Sequence, residues 1–228
     1  MKGILFKPDM FQAIIEKRKT VTRRTAGLEQ LNEKPADVAY LGCNNYQEYM
    51  FEIFFPDGTS TIKEVKPRYL PGETVYMKES YCSNCCVDEN DTEVCYRKDD
   101  NGTCVKSRWQ SPLFLPEKYA RYFIRIISVR PERLQDITIQ DVIAEGISPC
   151  SDSVNSVETM LSHYATLWNS INGKKVGYSW YDNPWVWRYE FELIERQVYM
   201  LSQEYVEAIT RIANQGFAKS LRDKRTSP

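Results

Sequence analysis

Hydrophobic positions repeat along this chain in two rhythms. In "PWVWRYEFELI", Trp185, Trp187, Tyr189, Phe191 and Leu193 alternate with Val186, Arg188, Glu190 and Glu192. That period of two predicts a half-buried strand closing the main sheet. "YQEYMFEIFF" and "STIKEV" flank the turn "PDGT" and predict a β-hairpin. Further strands are expected in "ETVYMKESY" and in the long run "RYFIRIISVRPERL". The other rhythm is helical. Pro8 and Asp9 open a helix with Met10, Phe11, Ile14 and Ile15 on one face, and Lys17 to Lys19 at its end suit the macrodipole. Thr138 caps a short helix that Gly146 stops. Val157, Met160, Leu161, Tyr164, Leu167 and Trp168 form a longer helical stripe, read as core.

This order of strands and short helices predicts an α+β domain around a curved or barrel-like sheet. A polar, Cys-rich and Pro-punctuated insertion interrupts it at about residues 82–116. From residue 196 the pattern changes to an amphipathic helix and a basic tail, 196–228, with six Lys/Arg against three acids. Such a tail suits contact with RNA or a partner, and equally a solvated end.

Composition narrows the function classes. The chain has 228 residues, 42% of them apolar, enough for a substantial core. No window approaches the roughly 18 apolar residues of a membrane helix, and the N-terminus lacks a signal-peptide pattern, so a cytoplasmic location without a membrane is expected. The formal net charge is -1. Any anion site must therefore be a local cluster rather than bulk charge. Such a cluster stands in "EKRKTVTRR", where Lys17, Arg18, Lys19, Arg23 and Arg24 surround Thr20 and Thr22. A cationic helix end explains Lys17 and Arg18 but not Arg23 and Arg24.

Five of the seven cysteines lie between Cys82 and Cys104. Cys82, Cys85, Cys95 and Cys104 have the composition of a four-thiolate zinc site, although the spacing of the second pair is long for one. A reduced, Cys-rich loop is the other reading. The single histidine, His163, falls in the helical stripe and is read as a surface or packing residue rather than a ligand.

Two further features suggest chemistry. Lys19 and Thr22 are three apart, which on a helical turn sets an amine beside a hydroxyl. A threonine hydroxyl becomes a nucleophile when a base takes its proton, and neighbouring cations lower the pKa of a lysine that is to be that base. Glu145 sits in the last turn of its short helix, where the dipole disfavours a carboxylate and raises its proton affinity, as a general acid requires. A solvent-exposed glutamate is the plain alternative.

"ILFKPDMFQAIIEKRKTVTRR", "LPGETVYMKESY", "RLQDITIQDVIAEGI" and "LWNSINGKK" followed by "WYDNPWVWRYEFELI" resemble the ASCH domain of the PUA-like superfamily. The resemblance covers nearly all of residues 1–195 and is nearest the longer phage and prophage versions. It implies a PUA-like β-barrel with flanking helices. Small ASCH amidohydrolases acting on 4-acetylcytidine carry Arg-Lys-Thr-x-Thr-x-Arg, matched here by Arg18 to Arg24, and a glutamate that corresponds to Glu145. The resemblance thus implies Thr22 as nucleophile, Lys19 as its base and Glu145 as acid for the leaving amine, with Arg24 or a backbone N–H near the turn steadying the oxyanion and no metal required. Phe6 and Tyr81 are candidates to stack on a base, and Glu79 to line the same cleft. The second reading is a non-catalytic RNA-binding module that uses the same basic cleft. The expected partners are a modified nucleoside or RNA, and the oligomeric state is not readable from the sequence.

Overall fold

The computed structural model describes residues 1–32, 37–83, 94–99, 109–148 and 157–194. In chain order its elements are β1 (Gly3–Leu5), α1 (Pro8–Ile15), β2 (Val21–Arg24), α2 (Glu29–Asn32), β3 (Val38–Cys43), β4 (Tyr49–Phe54), β5 (Ser60–Val65), β6 (Thr74–Lys78), β7 (Tyr81–Ser83), β8 (Val94–Tyr96), β9 (Phe123–Arg133), α3 (Ile139–Ala144), α4 (Val157–Asn172) and β10 (Trp185–Ile194). The fold is α+β. Its main sheet is five-stranded and mixed, in the order β1-β6-β9-β10-β2, and β1–β6 is its parallel pair. The hairpin β4–β5 joins β3 in a separate antiparallel sheet, and β7 pairs with β8.

Two sequence expectations are corrected here. Among the described residues the sheets do not close into a barrel, since β1 and β2 stand as the two ends of an open order. Nor does β10 close the sheet. It is hydrogen-bonded to β9 on one edge and to β2 on the other, because the short strand "VTRR" supplies a further partner that its polar sequence conceals.

β10 explains how the layers are assembled. Its odd positions, Trp185, Trp187, Tyr189 and Phe191, are buried in the larger core with Ile14, Leu28 and Phe51. The β3–β4–β5 sheet covers this face, with Tyr49 edge-on to Trp187 at 4.9 Å and Phe51 edge-on to Trp185 at 5.1 Å. Asn32 pins the start of the strand, donating to Trp185 O at 2.9 Å and accepting from Trp185 N at 2.7 Å. The opposite face is not left to solvent as the simple alternation implies. Val186 is fully buried there against Leu134, Val142, Met160, Tyr164 and Trp168, because α3 and α4 cover that side.

Both flanking helices follow their sequence signals. Lys17 takes a left-handed backbone (φ 59°) just after α1 and ends it. Thr138 and Asp141 form a reciprocal capping box at the start of α3. Gly146, with φ 91°, ends that helix, and a Cβ there would lie 3.1 Å from both Ala13 and Lys19 side chains. That close approach brings the chain after α1 against the end of α3. The 196–228 helix and tail lie outside the described residues, as does most of the Cys-rich segment.

Candidate active site

The close approach at Gly146 is where the candidate residues meet. Lys19 and Glu145 form an isolated antiparallel bridge, Thr20 N–H donates to Ala144 O at 2.8 Å, and Phe191 N–H donates to Thr20 O at 2.9 Å. Residues 19–20 are thus held between the end of α3 and the neighbouring strand β10. Thr22 follows on β2, opposite Tyr189. Lys19 and Thr22 therefore do not share a helical turn, as their spacing suggested. A bridge and a strand place them instead, since α1 has already ended at Ile15.

Even so, Lys19, Thr22, Arg24 and Glu145 line one cavity of about 520 Å³, within the range of small-molecule sites. Phe6 forms part of its wall, and α4 contributes Tyr164 and Trp168. The Lys19 and Glu145 residues are only 3% and 5% exposed. Lys19 Nζ donates to Glu145 Oε2 at 2.5 Å, to Glu145 O at 2.9 Å and to Val21 O at 2.8 Å. All three ammonium protons are used in this way, and no hydrogen bond joins Lys19 to the Thr22 hydroxyl.

Glu145 is not the solvent-exposed carboxylate of the plain reading. Its Oε1 accepts from Arg23 Nη1 at 3.2 Å and from the Tyr164 hydroxyl at 3.5 Å. Arg23 is itself fully buried, with Nε donating to Glu132 at 2.7 Å and Nη2 donating to Asp141 at 2.9 Å. Asp141 also accepts from Arg188 at 2.8 Å. Three carboxylates and three cations, Lys19, Arg23 and Arg188, thus share one buried cluster.

Burial sets the electrostatics here. It pushes the Lys19 pKa down against the pull of Glu145, while Arg24 and Arg23 add smaller contributions in the same downward direction. The lowering expected from neighbouring cations is present, but desolvation is its main source. Burial also disfavours the Arg23 charge, yet Glu145, Tyr164, Glu132 and Asp141 outweigh it and raise its pKa. Tyr164 is raised well above its ordinary value by burial and then by Glu145.

The five cations of "EKRKTVTRR" separate in the fold. Lys17 marks the end of α1, Arg18 pairs with Glu16 at the surface, and Lys19 and Arg23 enter the buried cluster. Arg24 has a different role. Its Nη2 donates to Leu5 O at 2.7 Å, its guanidinium lies 5.0 Å from the Phe6 ring centroid, and its Nε is buried without a hydrogen-bond partner. No carboxylate pairs with it among the described residues. It faces the cavity as a cation that a substrate anion or an oxyanion can engage.

Two expected site residues fall elsewhere. Tyr81 is buried beside Tyr119, donates to Phe114 O at 3.0 Å and does not line this cavity. Glu79 lines a neighbouring cavity and neither shares the cleft nor faces solvent, because Arg121 binds both its oxygens at 2.8 Å. Sequence reasoning also missed Tyr164, Glu132 and Asp141. A tyrosine within an otherwise apolar stripe is the signal that could have found Tyr164, since a buried hydroxyl needs a partner.

As for a metal, Cys82 stands opposite Cys95 in the β7–β8 ladder, while Cys85 and Cys104 lie outside the described residues. Among the described residues no group of three or more His, Cys, Asp or Glu is placed to hold an ion. His163 is exposed on α4. No helix among them is long and apolar enough to cross a membrane. Compared with known proteins, the chain matches no family model, no curated protein and no solved structure.

Proposed function

We propose that this chain is an ASCH-type, PUA-like amidohydrolase that removes an acyl group from the exocyclic amine of acylated cytidine or a related modified nucleoside in the cytoplasm. The supporting observation is the convergence of Lys19 and Thr22 with Glu145, far from them in sequence, on one cavity. The buried pair is the working unit. A proton passing from Lys19 to Glu145 leaves a neutral amine and a carboxylic acid side by side, and the lowered Lys19 pKa favours that transfer. Lys19 then takes the Thr22 hydroxyl proton as the threonine oxygen bonds to the amide carbonyl carbon. Arg24 faces the oxyanion. Glu145 gives its proton to the nitrogen as the C–N bond breaks, and cytidine leaves. Water attacks the acyl-threonine ester, its proton going to Glu145, and the threonine oxygen recovers a proton from Lys19 as the carboxylic acid departs. Arg23 holds Glu145 throughout.

The test follows the ultraviolet spectrum of 4-acetylcytidine with the protein and with Thr22→Ala. Conversion to cytidine is expected from the unsubstituted chain, with a loss of about 10⁴-fold or more on substitution. No conversion by folded protein, or equal conversion by Thr22→Ala, overturns the reading. One observation favours the alternative, a non-catalytic RNA-binding module. Lys19 has no proton donation left for Thr22, so the pair as it stands is also a structural ion pair beneath a basic cleft.

A further inference from the structure

A second cavity, of about 480 Å³, adjoins the first, and Phe6 and Pro112 line both. Its walls are mainly apolar, with Phe11 set edge-on to Tyr122 behind it. Lys78, Arg97 and Lys98 also line it. None of the three is paired with a carboxylate among the described residues. Lys78 Nζ donates to Leu113 O at 2.7 Å, and Lys98 Nζ lies 5.8 Å from the Tyr122 ring centroid. Among the described residues, the carboxylates nearest in sequence are already taken. Arg121 binds both oxygens of Glu79 and also Asp99, which shares the 97–99 turn with Arg97 and Lys98. Glu16, which acts on Lys98 from a distance, is bonded to Gln12 and Arg18. The cavity thus combines an apolar wall with positive charge that no carboxylate among the described residues pairs. That chemistry fits a phosphate attached to a ring system better than a neutral molecule.

We propose that the second cavity receives a phosphate-bearing part of the same ligand, so that the substrate is a nucleotide or oligonucleotide rather than the bare nucleoside. The inference rests on the reading above for the identity of the base. Phe6 is the shared wall: one unit occupies the Thr22 cavity, and the phosphate with whatever follows it passes to Arg97 and Lys98.

The test is calorimetric titration of the full chain with cytidine, cytidine 5′-monophosphate and the cytidylyl-cytidine dinucleotide. At least one phosphate-bearing probe is expected to bind roughly tenfold more tightly than cytidine. An advantage for the monophosphate assigns a phosphomonoester, and an advantage for the dinucleotide alone assigns a phosphodiester with a second nucleotide. The Arg97→Ala/Lys98→Ala variant should bring the three probes to within about twofold of one another, and Arg97→Lys/Lys98→Arg should keep the preference. Equal binding by the unsubstituted chain, or a preference that survives the double alanine variant, overturns the proposal. Its failure is separable from that of the amidohydrolase reading. Turnover of 4-acetylcytidine without phosphate preference sinks only this inference, whereas phosphate preference without turnover sinks only the other.

Discussion

On one face of β10, Trp185, Trp187, Tyr189 and Phe191 pack into an apolar and aromatic core; on the other, Arg188 leads through Asp141 to Arg23 and on to Glu132, Glu145 and Lys19. Each large side chain on the first face contributes roughly 1.5–3 kcal/mol by leaving water. The charged cluster on the second face, set beside the apolar packing around Val186, has no comparable gain. Removing six charges from water costs nearly what their attraction returns, and a well-packed apolar set of equal volume would be as stable or more so. A cluster with that cost is better explained by the cavity beside it than by stability.

The most severe way to break either face is to remove its central member. Trp187→Ala leaves a hole in a closed aromatic layer, and Glu145→Ala strands Lys19 and Arg23 without a carboxylate between them. Each should cost about 3–5 kcal/mol in denaturant unfolding. A second substitution separates the two causes. In a Glu145→Leu background, Lys19→Met should restore part of the lost stability, with a coupling of about 1–3 kcal/mol, because it removes the orphaned charge. No change of charge can do the same beside Trp187→Ala. Strict additivity of Lys19→Met and Glu145→Leu would show that the cluster is not one unit.

Next in size is Asp141→Asn, which weakens the link between Arg23 and Arg188 and should cost about 1–3 kcal/mol at neutral pH. Although burial pushes the other way, hydrogen bonding from Arg188 and the charges of Arg23 and Arg188 hold the Asp141 carboxyl below its ordinary value of 3.8. The folded state therefore favours the ionised form. That stability is present above pH 3.8 and is lost as the pH falls through the lower folded value. The unsubstituted chain should consequently lose more stability on acidification than Asp141→Asn does. Equal acid sensitivity in the two would remove Asp141 from the cluster's energetics.

These elements were not equally legible in the sequence. β9, β10, the β4–β5 hairpin, α1 and α4 were readable because each buries a periodic face, and the α3 cap because Thr138 and Asp141 are local partners. β3 escaped because Gly42 and the register shift beside it break its alternation. β2 escaped because three of its four residues are polar, and their reasons lie far along the chain: Arg23 meets Glu132, Asp141 and Glu145 only in the fold. Lys19, Thr22 and Glu145 reached one cavity along the resemblance to a family motif, whereas local spacing misjudged their geometry. Glu79 and Tyr81 missed it because a strand end next to a motif says little about which way a side chain turns.

The two faces also differ in what pH does to them, since the aromatic layer around Trp187 carries no charge while Lys19 titrates. Burial lowers its pKa below 10.5, so the single proton that the Lys19–Glu145 pair shares is lost as pH rises. With 4-acetylcytidine, kcat/KM should therefore hold level and then fall about tenfold per pH unit, with its midpoint below 10.5, as the pair loses the proton that Glu145 must give to the leaving amine. Stability should move the opposite way, rising as the penalty for a buried ammonium is relieved between the folded value and pH 10.5. A flat profile up to pH 10.5 would leave that shared proton no role in the reaction.

The smallest effect is expected from Tyr164→Phe, and it tests how much of the charged cluster is needed. The hydroxyl donates to Glu145 Oε1 across 3.5 Å, a long bond, while Lys19 and Arg23 hold the same carboxylate at 2.5 and 3.2 Å. Burial keeps the phenol protonated, so it can donate at any working pH but cannot serve as a base. Losing a weak third donor should cost about 1 kcal/mol or less and lower kcat by less than about tenfold. A fall of about a thousandfold with stability intact would mean that Tyr164, not Glu145, protonates the leaving amine. The cluster would then be the rigid support for an acid that the helical stripe of α4 had concealed.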